Sequence, residues 1–163
     1  MHIDELERYW LIAVSVTLGV FTAALLASVF IFGVRLPSPV GRIDPTNLEN
    51  TEFAQPGLRD MGNGQYVAHI VAQMWNFNPR EIRVPVGSEV LFNVTSRDIS
   101  HGFLIEAHNA NLMLLPGQIA QVRVRFDRPG QFHIICHEYC GPGHQNMFGV
   151  ITVEGPATAG ITE

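Results

Sequence analysis

Ala120-Gln121-Val122-Arg123-Val124-Arg125-Phe126 alternates apolar with polar side chains at every step. A period of two places Val122, Val124 and Phe126 on one face of an extended strand and Gln121, Arg123 and Arg125 on the other. That is the pattern of a strand with one face in a core and one in water. Tight-turn dipeptides, Pro116-Gly117 and Pro129-Gly130, bracket it on both sides. Working outward, residues 66–73, 81–86, 89–95, 102–106, 119–126, 131–136 and 149–154 all read as short strands bounded by turn formers. Strands at this spacing, between residues 64 and 154, predict an all-β domain built as a Greek-key β-sandwich.

The flanks have a different character. Residues 35–63 carry several prolines and no sustained periodicity, which predicts a linker and lead-in loop. Residues 155–163 are small and polar with nothing to bury, and are expected to form a loose tail. Residues 9–34 contain no charge across 26 residues. At about 1.5 Å per residue such a helix is roughly 39 Å long, more than the ~30 Å of a hydrocarbon core. The expectation is one N-terminal transmembrane helix, with residues 1–8 as a short cytoplasmic segment. A secretory signal is the alternative, but its apolar core is typically only about 7–15 residues. Arg8 on one side and Arg35 and Arg42 on the other leave the orientation open on charge alone. A net charge of −5 argues against nucleic acid and favours a basic protein partner.

The chemistry is concentrated in Cys136-His137-Glu138-Tyr139-Cys140-Gly141-Pro142-Gly143-His144-Gln145-Asn146-Met147, which holds both cysteines of the chain. Thiolate, imidazole and thioether suit copper better than hard cations. A mononuclear copper site needs one thiolate, two imidazoles and a weak thioether. Cys140, His144 and Met147 would supply three of these. His101, in the strand connection Thr95 to Phe103, is the expected second imidazole. Cys136 is then a surplus thiolate, which makes sense if two coppers share bridging sulfurs. A disulfide between Cys136 and Cys140, or a structural zinc site, remains open on residue types alone. Asp98 is placed to orient His101 by a hydrogen bond, or to make an ordinary Asx turn. His2, His69, His108, His133 and His137 lack such support and are expected to be structural or surface residues.

With these residues in view, the sequence resembles subunit II of the haem-copper oxidases. Cys136, Glu138, Cys140, Gly141, His144 and Met147 match its C-x-E-x-C-G-x-x-H-x-x-M pattern; Ser96, Asp98 and His101 match its upstream S-x-D-x-x-H pattern. A single predicted helix makes the short B-type oxidases the nearest likeness. The resemblance implies a cupredoxin-like domain with a dinuclear copper centre, CuA. Cys136 and Cys140 would bridge, His101 and His144 would cap, Met147 would be a weak axial ligand, and Glu138 would offer its carbonyl. It also implies a possible magnesium role for the Glu138 carboxylate at the interface with the haem-bearing subunit I.

The implied function is electron uptake for a membrane terminal oxidase. Cytochrome c or a small copper protein would reduce the copper, and the electron would pass to haem in subunit I, where oxygen is reduced to water and protons are pumped. The domain would then stand on the outer face of a prokaryotic plasma membrane, in contact with lipid through its helix. Trp75, in Gln73-Met74-Trp75-Asn76-Phe77-Asn78-Pro79, is the expected electron-accepting residue, with plain packing in the sandwich as its alternative. Two other functions stay open: the CuA subunit of a nitric oxide reductase, and a membrane-anchored copper-delivery protein. The second would place its cysteines among alternating strands and helices.

Overall fold

A computed structural model describes residues 4–31 and 39–155. The helix and the β-domain are separate compact units.

Helix α1 spans Glu5–Phe30 and buries none of its residues within the chain. It is long and apolar enough to cross a membrane. The hydroxyls of Thr17 and Ser28 donate back to the carbonyls of Ala13 and Ala24 at 2.9 Å, which satisfies polar groups that lipid cannot. The helix begins four residues before the expected Tyr9. Asp4 caps it by accepting from the Leu6 amide at 2.8 Å, and Glu5 and Glu7 sit in a first turn that favours negative charge. Residues 32–34, expected to complete the span, lie outside the described residues, as do residues 156–163 of the expected tail.

Among the described residues the β-domain contains eleven strands. These are β1 Gly41–Arg42, β2 Gly57–Gly62, β3 Gln65–Gln73, β4 Asn76–Asn78, β5 Glu81–Pro85 and β6 Glu89–Ser96, followed by β7 His101–Ile105, β8 Ala110–Leu114, β9 Gln118–Arg125, β10 Gly130–Ile135 and β11 Phe148–Glu154. One sheet has the order β1-β9-β6-β3-β2, with β4 also paired to β3; the other has the order β5-β11-β10-β7-β8. Pairing is antiparallel except between β3 and β6 and between β5 and β11. The two sheets enclose one core, in which Phe77, Phe92, Phe103 and Phe126 are fully buried. Between ring centroids, Phe103 meets Phe77 edge-on at 5.9 Å and Phe92 at a tilt at 5.7 Å. In β9, Val122 and Val124 turn toward this core while Gln121, Arg123 and Arg125 stay exposed, as alternation demands.

All seven expected strands are present, and the expected linker needs correcting. Within residues 35–63, β1 pairs with β9, β2 pairs with β3, and a short 3-10 turn at Leu48–Asn50 lies between them. Leu48 and Phe53 are buried against Val71 and Ile119 on the outer face of the first sheet, forming a second small core. Val71 and Ile119 lie one step out of phase with the inward residues of β3 and β9, so the sheet face they occupy needs a cover. The lead-in segment provides it.

Candidate metal centre

The ligand-rich loop connects β10 to β11, which are antiparallel neighbours in one sheet. The Cys136 amide donates to the Met147 carbonyl at 3.2 Å and closes the loop at its base. A 3-10 turn over His144–Asn146 tightens its return, with His144, Asn146 and Met147 amides each bonding back three residues at 3.0 Å. His101 opens β7, the other neighbour of β10, so sheet pairing brings it beside the loop.

These elements bring one cluster together. Among the described residues, the ligand atoms of His101, Cys136 and Cys140 all lie within 4.8 Å of one another. The two sulfurs stand 3.7 Å apart as free thiols, not as a disulfide. His101 Nδ1 lies 3.9 Å from Cys136 Sγ, His144 Nδ1 3.5 Å from Cys140 Sγ, and Met147 Sδ 3.6 Å from Cys140 Sγ. The Glu138 carbonyl oxygen is 3.3 Å from Cys136 Sγ, while its carboxylate lies 3.6 Å from His137 Nδ1. All six expected ligand positions are therefore gathered around the sulfur pair.

The pocket is dry. His101, Cys136, Cys140 and Met147 are buried, and His144 is half-buried. Burial pushes the Cys140 thiol up to about 12, and the adjacent Cys136 and the negative charge of Asp98 add to the effect. A thiol held in this way resists ionisation unaided, whereas a bound cation deprotonates it. The donor set is soft apart from one carbonyl and includes a thioether that structural zinc does not use, so the residues fit copper.

Two residues outside the ligand set touch it. Asp98 Oδ1 lies 2.8 Å from His101 Nε2 and accepts from the Ile99 amide at 2.7 Å; its Oδ2 accepts from the Met74 amide at 2.7 Å. Partial burial raises the Asp98 carboxyl, but the Met74 amide, the His101 imidazole and the Ile99 amide outweigh it and hold the group below its ordinary value. Trp75 remains 41% exposed yet donates from Nε1 to the Cys140 carbonyl at 2.9 Å. Its ring packs against the loop at Gly141 and Gly143: a Cβ on Gly143 would stand 2.3 Å from the indole. Gly141 is a position of the sequence pattern, but nothing in the sequence marks Gly143; the physical reason for both is that a bulky aromatic needs a backbone free of side chains to approach so closely.

The remaining histidines fall elsewhere. His69 is buried beside Glu52, His108 packs on Phe126 and Phe132, and His133 pairs with Glu106. His137 lies over Gly102, and His2 is outside the described residues.

Residues 63–154 match the family described as cytochrome c oxidase subunit II, periplasmic domain. The chain is 39% identical over 153 residues to a cytochrome c oxidase subunit 2 of Thermus thermophilus, covering 91% of each chain. A second Thermus thermophilus cytochrome c oxidase subunit 2 is 42% identical over 125 residues, 75% of this chain and 93% of that one. Among solved structures, a chain of a heme-copper terminal oxidase dimer superposes with a TM-score of 0.69 at 34% identity, covering 92% of this chain and all of that one.

Proposed function

Because the chain belongs to the cytochrome c oxidase subunit II family, we propose that it accepts electrons for a haem-copper oxidase and hands them to the haem-bearing subunit I. The observation that carries this reading is the sulfur pair of Cys136 and Cys140, buried and 3.7 Å apart, with an imidazole on each side and Met147 against it. Bound copper would supply a one-electron carrier at this position.

The protein's part is to hold that carrier still. His101 from β7 and Cys136, Glu138, Cys140, His144 and Met147 from one short loop are the ligands we assign, the loop pinned at its base and along its return by backbone hydrogen bonds. A buried set of ligands held by these backbone hydrogen bonds would change little when charge arrives or leaves, which would keep the reorganisation cost of electron transfer small. Trp75 gives an exposed π surface whose N–H bond ends on the carbonyl of a ligand residue, and this contact supports it as the electron-accepting position.

A net charge of −5 suits a basic donor such as cytochrome c or a small copper protein. Such a donor works outside the cytoplasmic membrane, so α1 would anchor the chain in lipid with the β-domain on the outer face. The Glu138 carboxylate, 40% exposed, would join a magnesium ion only with further ligands from subunit I.

Metal analysis and electron paramagnetic resonance of the full chain test the reading. Two coppers per chain with hyperfine structure from one electron shared over two nuclei is the expected result. One copper with single-nucleus hyperfine structure would sink it. Protease accessibility in intact cells against spheroplasts tests the orientation.

A further inference from the structure

Asp98 lies between β6 and β7, and every contact to its carboxylate is made by a group able to donate. Oδ1 takes the Ile99 amide, faces His101 Nε2 and lies 3.5 Å from the Ser96 hydroxyl, and Oδ2 takes the Met74 amide. The Ile99 contact alone would be an ordinary Asx turn. Met74 is different, because it lies 24 residues away on the β3–β4 connection. Its neighbour Trp75 bonds the Cys140 carbonyl and rests on Gly143. The contacts thus close a ring: Trp75 segment to Asp98, Asp98 to His101, His101 to the sulfur pair, and Cys140 back to Trp75.

Only an acceptor on both oxygens satisfies this arrangement. With Nε2 bearing its hydrogen toward Asp98, His101 presents the Nδ1 lone pair to Cys136 Sγ, 3.9 Å away. An amide in place of the carboxylate must turn its NH2 group either on the Met74 N–H or on the His101 and Ile99 N–H groups.

We infer that Asp98 is a positioning residue that joins the Trp75 segment to the His101 imidazole, so that one carboxylate sets both the ligand tautomer and the seat of the electron-accepting indole. The inference rests on the ligand roles proposed above. Coupling of this kind is reciprocal, so a change at Trp75 reaches His101 as a change at Asp98 reaches the indole.

The test uses the 15N-labelled full chain in detergent, metal-free and copper-loaded in the reduced state. The His101 ring nitrogens report the tautomer. The indole N–H of Trp75, identified by its loss in Trp75→Phe, reports the other end. Asp98→Asn is expected to weaken the Nε2–H preference and to shift the Trp75 indole signal together. It should also move the reduction potential and slow electron uptake from a donor by about tenfold or more. Trp75→Phe is expected to perturb the His101 ring signals with Asp98 intact, which keeps the test alive if Asp98→Asn does not fold. An indole signal unmoved by Asp98→Asn, or His101 signals unmoved by Trp75→Phe, would overturn the inference. A wild-type chain that takes up no copper pair would instead overturn the ligand reading, since the hydrogen bonds are read equally well without metal.

Discussion

Gly143 is where a single hydrogen atom in place of a methyl decides the shape of the site. Gly143→Ala puts a carbon 2.3 Å from the Trp75 ring, so the indole or the loop must move. The expected cost is about 1–3 kcal/mol in denaturant melts, with a change in Trp75 fluorescence. Cys140 makes a second prediction. Its unfolded thiol ionises near 9.0 and its folded thiol near 12, so the unfolded state loses its proton first. The metal-free protein should therefore keep this contribution to stability below about pH 9 and lose it as pH rises toward 12, by up to about 1.4 kcal/mol per pH unit. Urea melts across that range, compared with Cys140→Ser, check the sign; copper loading should abolish the slope. The ligand types were legible in the sequence because soft donors at tight spacing have few other uses. Asp98 was half legible: its place before His101 was visible, its reach to Met74 was not, because that contact depends on how two distant connections meet.

At the scale of elements, the alternating strands were readable wherever one face is apolar and the other polar, as in β9. β8 escaped because Met113 puts an apolar side chain on its exposed face and blurs the period. β4 is too short to show a period, and β2 has no apolar–polar alternation and both begins and ends in glycine. The segment before β2 escaped for a different reason: its two anchors, Leu48 and Phe53, have no rhythm, and only the exposed apolar side of a finished sheet explains them. Phe53→Ala should cost about 3–5 kcal/mol in thermal or urea unfolding. The copper spectrum of the variant should match that of the wild type, since this small core covers the face of the sheet turned away from the main core.

At the scale of the molecule, the helix and the β-domain are separate compact units, and the small core of the lead-in segment belongs to the second. A chain of residues 39–155 should be soluble, unfold cooperatively and bind copper with the spectrum of the full chain. Aggregation of that fragment, or a changed spectrum, would show that the helix contributes to the site. The ligand set itself is assembled by β-pairing: His101 reaches the loop only because β7 lies beside β10, and the Trp75 segment only because the second sheet has closed over the first. On that account copper would enter a domain that is already built, and loading would be a late step in maturation. Refolding of the metal-free chain from urea checks this: native-like β-structure regained without copper is the expected result, and refolding that requires copper would show that the metal helps to shape the site.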